Sequence, residues 1–212
     1  MCNKGGGGMS FDEKARMWDN PERIKRTEIL SKAIIERIED ASEKTALEIG
    51  CGTGLFTTRL SKVLKEVACF DTSEEMVKVL KEKIKEGNLK NISIYTEEIL
   101  NNEEFYEKFD IVYSSMVFHH IVDIEKEFEL LSKLLKKSGQ VIIIDLDEED
   151  GSFHKNEKDF NGHNGFNRDE FKDILEKYGF MDVTFETVFN GTKIVLDKGV
   201  DYSLFLCVAQ KC

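Results

Sequence analysis

The sequence predicts an α/β fold, a doubly wound and mostly parallel sheet with helices on both faces. Three observations predict it. Short β-compatible runs alternate with amphipathic helical stretches along almost the whole chain, no Gly/Pro-rich linker or internal repeat interrupts them, and the first strand runs into the glycine-rich turn of "TALEIGCGTG". The 212 residues, 41% hydrophobic and 33% charged, suit one soluble domain over residues 10–212, with residues 1–9 (including NKGGGG) as a flexible lead-in.

The elements follow in order. Ser10 with Glu13 forms a capping box for a short helix through Trp18, and Asn20-Pro21 starts a longer helix to about Asp40. Residues 45–49 are a short buried strand, followed by a helix from Gly54 to about Lys65 and the strand VACF ending at Asp71. Thr72 and Glu75 read as a second capping box, opening a helix that stops at Gly87-Asn88. Strands ISIYT and FDIVYSS, a helix over 124–136, a turn at Ser-Gly and the strand QVIIIDL come next. The rhythm then breaks into a polar stretch of the kind that carries function, taken as an acceptor-side loop over 147–166. Asn167 caps a last helix ending at Gly179, and strands near 182–189 and 202–209 complete seven, one of them antiparallel.

Charge and composition exclude several function classes. Thirty basic against forty-one acidic residues give a net charge of −11, which repels a phosphate backbone, so nucleic acid is not an expected partner. No apolar run is long enough to span a bilayer, and the expected location is the cytoplasm. The five cysteines are scattered and lack a CxxC spacing, so they read as free thiols. Oligomeric state leaves no signature.

The glycine turn lies where open α/β sheets bind ligands, outside the carboxyl end of strand 1. Glycines there let the backbone turn tightly and approach a ligand, and the following helix offers free N–H groups to an anion. Asp71, ending the second strand, is placed to accept both hydroxyls of a ribose. A dinucleotide fold wants G-x-G-x-x-G, whereas three residues after Gly52 stands Leu55. Glu48, two before the first glycine, suits the amino-acid end of a cationic sulfonium cofactor better than a pyrophosphate.

E-x-G-x-G-x-G with an acid ending strand 2 resembles the class I S-adenosylmethionine-dependent methyltransferases. The segments DTSEEM, FDIVYSSMVFHHIVD and LLKKSGQVIIIDL resemble the UbiE-like, methyltransferase type 11 branch that acts on small molecules. The opening FDEKARMWD, with DEEDGSFH and GFNRDEFKDILEKYGF, looks like a bacterial subgroup of that branch. The resemblance implies a Rossmann-like seven-stranded sheet and S-adenosylmethionine as cofactor. It puts Gly50, Gly52 and Gly54, with Cys51 in the same loop, under the methionine and ribose. Glu48 then reaches the amine, Asp71 and the neighbouring Thr72 the ribose side, and Met76 the adenine. The acid after strand 3 is Glu98, with Glu97 the neighbouring alternative, where the family usually has Gly-Asp. Ser114 supplies backbone contacts, and Trp18 belongs to a lid formed by residues 10–40.

All four histidines fall on the acceptor side: His119 and His120 after strand 4, His154 and His163 in the polar loop. His120 and His154, with His119, are the candidates for a general base, since a neutral imidazole suits that task near neutral pH; capping, packing or plain solvation are the alternatives. DLDEED places five acids among residues 145–150, which with His154 could surround an ion, but strand 4 ends in SSM without the aspartate of metal-using catechol methyltransferases, so no metal is expected. The absence of an N/D-P-P-Y/F motif turns the expectation away from bases and peptide amides, toward a small-molecule acceptor. Two other readings stay open: an NAD-dependent oxidoreductase, and a non-catalytic nucleoside-binding or interaction protein.

Overall fold

A computed structural model describes residues 10–157 and 160–212; the lead-in and Cys2 lie outside them. Seven strands form one sheet in the order β3-β2-β1-β4-β5-β7-β6: β1 (Thr45–Ile49), β2 (Glu66–Phe70), β3 (Ile92–Ile94), β4 (Phe109–Ser115), β5 (Leu135–Leu146), β6 (Phe180–Val195) and β7 (Lys198–Lys211). The first five pair in parallel, and β7 lies antiparallel to both β5 and β6, so it is the single reversed strand.

Helices cover both faces. On one, α2 (Pro21–Ile35) and α3 (Thr57–Leu60) bury Leu30, Ile34 and Leu60 against Ala46, Ile111, Tyr113 and Ile142. Beside them α4 (Glu74–Glu86) seats Leu80 on Cys51 and Cys69. On the other, α5 (Ile124–Leu134) and α6 (Arg168–Lys177) bury Phe128, Leu131, Phe171 and Leu175 against Leu47, Val112, Ile143 and Phe205. Each such aromatic or leucine contributes about 1.5–3 kcal/mol on leaving water. Cys51, Cys69, Cys207 and Cys212 are free thiols.

Several boundaries differ from the sequence expectation. The Ser10–Glu13 capping box forms, but α1 (Phe11–Lys14) passes into a 3-10 turn over Ala15–Met17 before Trp18. Helix α2 ends at Ile35 rather than near Asp40. Regular helix after the glycines begins only at Thr57 and is one turn long, so the expected row of free amides at Gly54 does not form. The cap of α4 is Ser73, whose side chain accepts from the Met76 amide, and not Thr72. Strand β5 begins at Leu135 and absorbs the expected Ser-Gly turn, with Ser138 at φ 61. Strands β6 and β7 form a long hairpin closed by Leu196-Asp197, both at positive φ as a tight two-residue turn requires.

Candidate active site

Strand order reverses between β1 and β4, and a cavity of about 400 Å³ opens there at the carboxyl ends of β1, β2 and β4. The end of β1 and its loop supply Glu48, Gly50, Cys51 and Gly52; the residues just past β2 are Asp71 and Thr72; the end of β4 and the segment after it supply Ser115, Met116, Val117 and His120. Met76 of α4 also lines it, and Phe11, Trp18, Arg23 and Arg26 of the N-terminal segment form the opposite wall.

Close approach explains two of the glycines. A Cβ on Gly50 would stand 2.4 Å from Val117 Cγ2, and one on Gly54 would stand 2.3 Å from Leu80 Cδ1. Gly54 is therefore a packing position against α4 and does not line the cavity, a correction to its expected place under a ligand. Gly52 has open space around it, and its amide donates to Asp71 Oδ2 at 2.7 Å. The other carboxylate oxygen of Asp71 accepts from the Ser73 amide at 2.8 Å, which fixes the side chain at the cavity floor. Burial raises the Asp71 carboxyl above the ordinary range, against the lowering effect of those amides.

Glu48 is 3% exposed and accepts at one oxygen from Thr57 Oγ1 (2.6 Å) and Tyr113 O–H (2.9 Å). Burial pushes its carboxyl up to about 8; the two hydroxyl bonds oppose the shift and nearby Asp71 adds to it. In the free cavity this group holds its proton at neutral pH, and a cation arriving beside it would draw the proton off.

Two expected positions shift by one residue, each for a geometric reason. Ser114 points away from the cavity and donates to the Ile49 carbonyl at 3.0 Å; strand alternation puts Ser115 on the cavity side. Glu97 lines the cavity and Glu98 does not, because adjacent side chains on the 3-10 helix Glu97–Asn101 diverge by about a third of a turn. Glu127 on α5 went unnoticed in the sequence. It lines the cavity, one carboxylate oxygen is buried without a partner, and burial, with Glu97 next, pushes it up to about 7. Its helical periodicity placed it on a boundary of the buried face, and a carboxylate there was the available signal.

The polar segment 147–166 is pinned at its ends. The Phe166 amide donates to the Leu146 carbonyl, Arg168 grips Asp147 through Nε (2.7 Å), and the His163 amide donates to the His119 carbonyl at 2.7 Å. This brings His154 to His119 and His120, with ring centroids 4.9 and 5.5 Å apart, while His119 and His120 are separated by 4.2 Å. Phe160 stacks on His154 at 3.9 Å. His119 Nδ1 meets Asp145 Oδ1 at 2.5 Å, and both residues are almost wholly buried. Only His120 of the three reaches the cavity wall, where Phe11 packs edge-on to it. Burial, then neighbouring His119, lowers His120 to about 4 and His154 to about 3, so both are neutral near pH 7. His163 stands apart, its Nε2 bonded to the Ile121 carbonyl.

The N-terminal wall is tied down by Thr53 Oγ1 donating to Asp19 (2.5 Å), by Ser73 Oγ donating to Asp12 (2.5 Å), and by the Arg16–Glu82 pair. The Arg23 guanidinium lies 4.0 Å over the Trp18 ring. Among the described residues no helix is long and apolar enough to cross a membrane.

The family model described as a methyltransferase domain matches residues 40–189. An uncharacterised methyltransferase of Schizosaccharomyces pombe is 34% identical over 122 residues, which is 54% of this chain and 43% of that protein. The chain thus spans less than half the length of that relative. A S-adenosylmethionine-dependent methyltransferase from Aquifex aeolicus superposes with a TM-score of 0.69 at 21% identity, covering 97% of this chain and 100% of the other. Phosphoethanolamine N-methyltransferase 2 of Haemonchus contortus, solved with phosphomonomethylethanolamine and S-adenosylhomocysteine, gives 0.72 at 19% identity, covering 96% of this chain and 61% of the other. At these identities the two structures share a fold with this chain.

Proposed function

The chain belongs to the methyltransferase domain family, and we propose that it transfers the methyl group of S-adenosylmethionine to a small-molecule acceptor, releasing S-adenosylhomocysteine. The observation that carries this reading is the pair Glu48 and Asp71 flanking the Gly50–Gly52 turn in one cavity wall. Glu48 answers the cofactor's ammonium, and Asp71, held by the Gly52 and Ser73 amides, turns its remaining lone pairs to the ribose hydroxyls. Cys51 and Thr72 border those groups, Met76 packs at the adenine, and Glu97 with Glu127 supplies acceptors for its amino group. Trp18 and Phe11, on the segment bonded to Thr53 and Ser73, act as the lid.

Methyl transfer is an in-line displacement: the acceptor's lone pair forms the new bond to carbon while the carbon–sulfur pair returns to sulfur. Alignment and exclusion of water supply much of the acceleration. His120 is the imidazole in position to take the acceptor's proton, with His119 and His154 behind it. A base lowered to about 4 is a weak one at neutral pH, so His120 chiefly orients the acceptor. The cavity of about 400 Å³, within the roughly 300–1,000 Å³ of small-ligand sites, favours a small acceptor.

The test is incubation with methyl-labelled S-adenosylmethionine and a cell extract. Transferred label in an ultrafilterable species separated from S-adenosylmethionine, with stoichiometric S-adenosylhomocysteine, is expected; transferred label confined to protein or nucleic acid would overturn the small-molecule reading.

A further inference from the structure

We infer that His119, His120 and His154 form a three-imidazole site for a first-row divalent cation of the zinc type, with its fourth position open to the cavity. One ligating atom from each of the three lies within 4.8 Å of the others. A tetrahedral zinc with bonds of about 2.0–2.1 Å needs nitrogens about 3.3 Å apart, so the rings close by at most about 1.5 Å.

Three further observations point the same way. Asp145, which is 0% exposed, binds His119 at Nδ1, and the proton of that short contact leaves Nε2 as the free nitrogen. A carboxylate behind the imidazole is the arrangement that orients a metal-binding histidine and raises its basicity. His154 is 4% exposed, yet its Nδ1 is buried without any hydrogen-bond partner, a cost that a cation would relieve. Phe160, stacked on His154, and Phe153 beside it keep the cluster dry on one side, while His120 faces the cavity on the other.

The sequence expectation of no metal weighed the acids of DLDEED and the missing aspartate on strand 4. The donor set that the fold assembles is different: three imidazoles from two distant segments, with Asp145 the one acid of that run that reaches them. Three protein ligands and an open position are the pattern of catalytic rather than structural zinc. Cation binding stands independently. The use of the open position, where an acceptor hydroxyl or thiol would ligate and release its proton to solvent in place of its transfer to His120, rests on the methyl-transfer reading.

Chelator-stripped full chain is titrated with Zn²⁺ by calorimetry and with Co²⁺ by visible absorption, and with S-adenosylhomocysteine in parallel. One equivalent of each metal is expected, with four- or five-coordinate Co²⁺ bands and no thiolate charge transfer. His120→Ala should weaken binding by more than about tenfold, and Asp145→Asn, as a positioning change, by about 10–100-fold with the band shape retained. His163→Ala should bind as wild type. No stoichiometric uptake by the wild type, thiolate bands, or His120→Ala binding unchanged would overturn the site; the wild-type spectrum decides this even if a variant unfolds. Failure of the S-adenosylhomocysteine titration with metal bound would count against the methyl-transfer reading and leave the metal site standing.

Discussion

Binding of S-adenosylmethionine at neutral pH should expel close to one proton, and Glu48 should be its source. The carboxyl sits at about 8 in the free cavity against an ordinary 4.5, mainly through burial. At pH 7 it is then about 90% protonated, and pairing with the cofactor's ammonium returns it to the ionised form, so about 0.9 proton leaves per ligand. The ligand's own amino group, titrating near 7.7–8.0, takes back only about 0.1. Calorimetry in buffers of different ionisation enthalpy reads this number as the slope of observed heat against buffer enthalpy. Affinity should also rise about tenfold between pH 6 and pH 7, where the ionised fraction rises by that factor. Glu127, pushed up to about 7 in the same cavity, adds its own share, so the quantity to compare is the difference between wild type and Glu48→Gln. The same shift sets a sign for stability: a carboxyl raised in the folded state costs nothing below about 4.5 and progressively more up to about 8. The free protein should lose stability across that window, and Glu48→Gln should flatten the loss. A slope near zero at pH 7, equal in both proteins, would refute the reasoning.

Asp71→Ala should weaken S-adenosylhomocysteine binding by at least about tenfold, since charge-assisted hydrogen bonds are lost; unchanged calorimetric affinity would remove the ribose assignment. Gly54→Ala places a methyl 2.3 Å from Leu80 at φ +80 and should cost about 1–3 kcal/mol in urea unfolding, part of it recovered in combination with Leu80→Ala. Trp18 is the chain's single tryptophan and lines the cavity, so its fluorescence should change on cofactor binding; a spectrum that stays constant through saturation would place the lid elsewhere.

Local signals made most of the fold legible. Asn20-Pro21, Ser10 with Glu13, Asn167 and Gly87 mark helix ends that hold in the structure, because caps are decided within a few residues. The mostly parallel sheet followed from the alternation of strands and helices, and the reversed strand near the end from two successive strands closing the chain. The misplaced boundaries are tertiary. Regular helix after Gly54 begins only at Thr57, beyond the contact of Gly54 with Leu80, and β6 and β7 pair along a hairpin whose Leu196-Asp197 turn carries no glycine. That Glu48, the Gly50–Gly52 turn and Asp71 share one cavity was readable from spacing, whereas Gly54 turned out to be a packing position. Glu97 against Glu98 hung on one residue of 3-10 phase. The partnership of His119 with Asp145 spans two strands, and its convergence with His154 needs the pinned segment 147–166.

The central claim is that this cavity takes a sulfonium nucleoside. Titration calorimetry of the purified protein with S-adenosylmethionine, S-adenosylhomocysteine and NAD, at one pH and salt, tests it most directly. Saturable micromolar binding of the first two with no heat from NAD is the predicted result, and binding of NAD alone, or of none of the three, would contradict it.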